Sequence, residues 1–214
     1  MSENPSILTI MTTIACCTMI MVVLLAPIAW ITYTSRRKQK AVIAAWEPLA
    51  SRNGLTLEQK GVAKRPLLGG VYRNRRLTLS YGAPASSLES SARRLYTTLR
   101  FEVNVPGSHW MSVRRIGFAE KAARSLSAQV VRTGDEDFDR QFLVMSQPPD
   151  AAIRLLANNP VARGIVASLS PGWFGVTFYR QTLSYEEEGV ITDADRLQIL
   201  FDRVSELADQ FEGR

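Results

Sequence analysis

A chain of 214 residues with a net charge of +6 and 46% hydrophobic residues is long enough for one cored domain and an accessory segment. Its two cysteines, Cys16 and Cys17, are adjacent and lie inside an apolar run, so the rest of the chain offers no disulfide, thiol nucleophile or thiolate ligand, in keeping with a reducing compartment. His109 is the only histidine and no G-x-S-x-G, G-x-x-x-x-G-K or H-E-x-x-H pattern occurs, which removes the common hydrolase, phosphate-loop and zinc-protease arrangements.

The stretch Ile7 to Tyr33 contains no Asp, Glu, Lys, Arg or His. At 1.5 Å per residue its 27 residues reach about 40 Å as a helix, against a hydrocarbon core of about 30 Å, which predicts one transmembrane helix over 7–33. The preceding residues 1–6 hold Glu3 and no cation, unlike the basic start of a cleaved signal peptide. Thr9, Thr12, Thr13 and Cys16 fall at helical spacing and form a small, weakly polar stripe suited to docking on another membrane helix or a second copy. The competing reading is hydroxyls bonded back to their own backbone.

Arg36, Arg37, Lys38 and Lys40 follow as a basic collar, which holds residues 34–54 on the cytoplasmic side and places residues 1–6 outside. Val42, Ala45, Trp46 and Leu49 continue a helical pattern that Asn53-Gly54 closes, with Pro48 expected to kink or restart it. Trp46 lies about 20 Å beyond Tyr33 along a helix, so it is expected to pack on the domain, with Trp30 and Tyr33 at the inner interface.

From Leu55 the period becomes two-fold, and residues 55–214 read as a cytoplasmic α+β domain: a mixed, mainly antiparallel sheet with helices on one side. Expected strands cover 55–58, a hairpin over 70–81 turning near Asn74, 96–105, 111–118, 127–132 and 142–145. Asp150 is expected to cap a helix over 151–157, paired with a second over 161–169. A second hairpin, 174–179 with 182–185, turns at Arg180-Gln181, and an amphipathic helix capped by Thr192 or Asp193 closes the chain. Tyr72-Arg73-Asn74 and Tyr179-Arg180-Gln181 are alike, over too few residues to define a repeat.

Charge is segregated along the chain. Residues 52–132 carry 15 Lys and Arg against 4 Asp and Glu, a net +11, whereas 133–214 carry 7 Arg against 14 acids, a net −7. Two complementary halves of one fold, or two faces for different partners, both follow from that pattern. In the first half Lys60, Lys64, Arg65, Arg73, Arg75 and Arg76 lie near the collar in sequence; with Arg36, Arg37, Lys38 and Lys40, the cations Arg73, Arg75 and Arg76 are candidates for contact with an anionic leaflet. No nucleic-acid-binding motif accompanies them, and nucleic acid is not an expected partner.

Asp135, Asp137 and Asp139 occupy the first, third and fifth positions of a calcium loop, but the sixth is Arg140 and the twelfth Ser146, so no metal or cofactor is expected and Asp135 reads as a cap. The same run, Gly134-Asp135 to Phe138-Asp139 and on to Phe142, resembles a broad group of uncharacterised bacterial membrane-anchored domains. The resemblance implies architecture and carries no activity. The expectation is a non-catalytic, single-pass interaction or accessory protein, with membrane lipid and another membrane protein or itself as partners. The alternatives are a tethered enzyme or ligand sensor converging on His109, Arg114 and Asp135, or an anionic-lipid-binding module.

Overall fold

The computed structural model describes residues 30, 33, 34, 37, 39–59, 65–82, 95–105, 109–116, 130–169 and 174–213. The chain divides into two compact units, Met1–Ala41 and Val42–Arg214. In the first, every described residue is helical; Trp30 and Tyr33 are exposed, and Thr34 Oγ1 donates to the Trp30 carbonyl four residues back. Among the described residues no helix is long and apolar enough to cross a membrane, and the expected span over 7–33 lies almost wholly outside them.

The second unit is a nine-stranded antiparallel sheet with helices packed on one face, an α+β fold. In chain order the elements are α1 (39–53), β1 (Thr56–Glu58), β2 (Leu67–Tyr72), β3 (Arg75–Gly82), β4 (Tyr96–Glu102), β5 (Trp110–Arg115), β6 (Val130–Val131), α2 (Glu136–Gln141), β7 (Phe142–Gln147), α3 (Pro149–Ala152), α4 (Pro160–Ser168), β8 (Phe174–Tyr179), β9 (Thr182–Glu188) and α5 (Ala194–Glu212). Strand order is β1-β2-β3-β4-β9-β8-β5-β7-β6, and every neighbouring pair is antiparallel. The expected mixed sheet is therefore corrected: no parallel pair is needed, because β9 returns to β4 through the β8–β9 hairpin and β5 adds outside β8.

Alternation fixes which face is core. Leu77, Leu79 and Tyr81 of β3 are buried, with Leu99 and Phe101 of β4 and Leu183 and Tyr185 of β9 in register beside them. Onto this face α5 lays the stripe Leu197, Leu200, Phe201, Val204, Leu207, Ala208 and Phe211, where Phe201 meets Tyr72 and Phe211 meets Phe178 edge to face. Trp46 of α1 is fully buried against Tyr81 and donates its indole N–H to the Ile191 carbonyl at 3.0 Å, as its packing role required. Pro48 sits inside α1 without ending it, and Asn53 and Gly54 close the helix as expected, Gly54 at φ 64°.

Three further expectations change. Asp150 is not a cap: Pro148 holds that position without a side-chain bond, and Pro149 starts α3 because its fixed φ suits a first helical turn and it has no N–H to satisfy. The helix then widens into a π turn over Ile153–Ala157 before Asn159 caps α4. The strand expected over 96–105 pairs only to Glu102, although Val103 and Val105 remain buried and the Val103 N–H donates to the Gln181 carbonyl.

Candidate functional site

Two hairpin turns emerge at the same end of the sheet. At the first, Arg73 (φ 47°) and Asn74 (φ 64°) both adopt the left-handed conformation of a type I′ turn, whose twist matches that of the flanking strands. At the second, Arg180 (φ 55°) leads from β8 into β9. Between them lies an open cleft of about 840 Å³. The first turn contributes Asn74, Arg75 and Arg76; the end of β4 contributes Glu102 and the segment after it Asn104; the second turn contributes Arg180, Gln181 and Thr182; and Glu212 arrives from the last turn of α5.

The cleft's floor is an ion cluster. Arg75, 5% exposed, donates through Nη2 to Asp209 Oδ1 and Glu212 Oε2, both at 2.6 Å, while Glu212 Oε1 accepts the Asn104 backbone N–H at 2.7 Å. Burial works against the Arg75 charge, but the bonds to Glu212 and Asp209 and their charges outweigh it and hold the guanidinium above its ordinary value. At the rim Arg76 faces Glu102 at 3.9 Å with both side chains in solvent. Arg180 has no ion-pair partner among the described residues.

The proposed lipid contacts thus separate. Arg75 is committed to Asp209 and Glu212; Arg73 donates to Asp202 at 2.5 Å; Arg76 projects to solvent. Arg37 and Lys40 of the collar are exposed, whereas Arg36, Lys38, Thr9, Thr12, Thr13 and Cys16 lie outside the described residues, as do Lys60 and Lys64. Arg65 lies over the Tyr81 ring at 5.6 Å. Beside this, Asp202 also accepts from the Tyr72 hydroxyl at 2.7 Å, and burial followed by the Asp202 bond and charge pushes the Tyr72 phenol up; burial likewise raises Tyr81.

His109, Arg114 and Asp135 are not brought together. His109 and Arg114 stand five residues apart along an extended segment, about 17 Å, and Asp135 turns elsewhere, to Arg163 at 3.2 Å and the Phe138 N–H at 3.0 Å. Those two bonds hold the Asp135 carboxyl below its ordinary value, the Phe138 N–H contributing most. The three acids of the former calcium pattern diverge: Asp135 caps α2, Asp137 pairs with Arg140, and Asp139 accepts from the Thr133 N–H and hydroxyl. Phe138 and Phe142 plug the core with centroids 4.6 Å apart, as their four-residue spacing implied.

Sequence reasoning missed the half of the cleft that comes from the second turn. Arg180, Gln181 and Thr182 are separated from Arg76 by more than 100 positions, and only the β4–β9 register brings them near. The signal available was the likeness of the two turn sequences. It also missed Ser112, whose buried hydroxyl has no hydrogen-bond partner among the described residues and which lies level with Thr177 of β8.

The fold is similar to that of the mycobacterial trehalose monomycolate transport factor A, with a TM-score of 0.50 at 12% sequence identity over 80% of this chain and 93% of that one. That likeness shows the fold alone. The sequence matches no protein-family model and no curated protein.

Proposed function

We propose that this chain is a non-catalytic, single-pass membrane-anchored accessory protein, its N-terminus outside and its α+β domain cytoplasmic, that docks through its transmembrane helix on another membrane protein or a second copy. The observation that carries the reading is the uncharged run Ile7 to Tyr33 with four cations in the five positions from Arg36 to Lys40. Two further facts support it. Part of the opposite charge of the two halves of the domain is matched internally, through Arg52 with Asp195, Arg73 with Asp202, and Arg75 with Asp209 and Glu212. The fold neighbour is itself a transport factor, which accords with an accessory role.

The two native cysteines make the test direct. In membranes the full chain should resist alkaline carbonate extraction, and protease added outside spheroplasts should leave the 55–214 domain uncut. Mild oxidation should cross-link the chain through Cys16 into a homodimer or a defined adduct, and replacing Thr12 and Thr13 with leucine should reduce that product. Extraction by carbonate, cleavage of the domain from outside, or a chain that stays monomeric under oxidation would each overturn the part of the reading it addresses.

A further inference from the structure

The two hairpin turns share a Tyr-Arg step and are finished differently; Asn74 after Arg73 has positive φ, whereas Gln181 after Arg180 does not. Each sets an arginine in the left-handed region directly after a tyrosine, Arg73 after Tyr72 and Arg180 after Tyr179, at positions that in two-residue turns favour Gly, Asn or Asp. In each the guanidinium lies over the preceding ring, 5.6 Å from the Tyr72 centroid and 5.1 Å from that of Tyr179. The chain itself completes the first pair: Arg73 Nη2 donates to the Asp202 carboxylate at 2.5 Å, and the Tyr72 hydroxyl donates to the same oxygen. Tyr72 is 8% exposed, closed over by α5. Tyr179 is 50% exposed, and Arg180 beside it opens onto the cleft, where among the described residues no carboxylate forms an ion pair with it.

We propose that the second turn is an oxyanion site. A carboxylate or phosphate group from outside the chain takes, at Tyr179-Arg180, the place that Asp202 takes at Tyr72-Arg73. Stacking on the ring favours an orientation of the Arg180 guanidinium that suits paired N–H donors to the two oxygens of such a group. Arg76 at the opposite rim supplies a second cation, and Gln181 and Asn104 supply amides. Glu102 faces Arg76 at 3.9 Å and competes with the ligand for it. The same chemistry serves a soluble acid or phosphoester and a phospholipid headgroup.

The test is isothermal titration of the full chain in phosphatidylcholine nanodiscs with succinate and with glycerol 1-phosphate. At least one probe should bind saturably and more weakly as salt rises. Arg180→Gly should weaken that binding about tenfold or more, while its melting temperature holds or rises because glycine accepts φ 55° without strain. Arg76→Ala should weaken binding, Glu102→Gln should tighten it, and Arg73→Ala should leave it unchanged. Phosphatidylglycerol in the disc should abolish the soluble response if the headgroup is the natural source and spare it if a soluble ligand is. Absence of saturable binding by both probes, or parental affinity in Arg180→Gly, would overturn the proposal.

Discussion

Replacing Arg75 with alanine removes two charge-assisted bonds at the floor of the cleft, one of them to a nearly buried carboxylate. The Glu212 side chain is 5% exposed and loses its bond from Arg75 Nη2 while still accepting the Asn104 N–H, whereas Asp209, 36% exposed, can turn outward. Breaking a buried pair by removing one member costs about 3–5 kcal/mol, and the freedom of Asp209 places the expected loss near 3 kcal/mol. For a domain of this size that lowers the melting temperature by roughly 6–12 °C. The assay is thermal unfolding of the full chain in mild detergent, followed by the fluorescence of its buried tryptophan Trp46. Arg73→Ala is the internal control: its pair is 48% and 33% exposed, and such pairs contribute about 0.2–1 kcal/mol. Changing both partners, Arg75→Met with Glu212→Leu, should recover most of the loss, since no buried charge is then left alone. If Arg75→Ala costs no more than Arg73→Ala, the cluster is hydrated and the end of α5 is held by its apolar stripe alone.

Alkali should destabilise the domain through Tyr72 and Tyr81. Both phenols are raised in the fold, so their contribution is complete below the unfolded value near 10 and is lost as pH rises through the folded one; unfolding midpoints from pH 9 to 11 should fall less steeply in Tyr72→Phe. Asp135 acts in the opposite direction: its lowered carboxyl stabilises above the unfolded value near 4, and the contribution disappears as pH falls through the folded one. Asp135→Asn retains an acceptor for the Phe138 N–H and should flatten the acid limb of the same curve. Trp46→Ala, which empties a fully buried site and orphans the Ile191 carbonyl, should cost about 3–5 kcal/mol by chemical denaturation.

Local patterns were legible where one interaction decides them. The alternation Leu77, Leu79, Tyr81 placed β3; a cap at Thr192 or Asp193, which proves to be Asp193, and the apolar stripe placed α5; and the Phe138–Phe142 spacing placed a core plug, because each depends on residues within a turn or a strand of one another. Strand order and cleft were not legible, since both depend on β4 choosing β9, a pairing made across about 80 intervening residues with no local signature. Asp150 misled for a related reason. A carboxylate ahead of an apolar run looks like a cap, but two prolines fix the chain's entry into α3 two residues earlier and leave the side chain in solvent.

The charge polarity of the chain was visible from the start, but not its geometry. Asp195, Asp202 and Asp209 stand seven apart on α5, close to two helical turns, and so form one line about 21 Å long. They meet Arg52, Arg73 and Arg75 in the same order that those cations have along the chain. A stripe of period seven cannot by itself set the register of α5, because sliding the helix by two turns would re-pair acids with the wrong arginines at little electrostatic cost. The uncharged contacts between the acids remove that degeneracy. Asn53 donates to Gln198 at 2.7 Å, Gln198 donates to the Tyr72 hydroxyl at 2.9 Å, and Tyr72 donates to Asp202, a chain of directional bonds that fits only one setting of the helix. Long-range charge therefore brings the basic β2–β3 hairpin and the acidic helix together, and a neutral hydrogen-bond chain fixes where they stop. The same alignment carries Glu212 to Arg75 and closes the floor of the cleft, leaving Arg180 as the arginine at these two turns that no acid of α5 reaches.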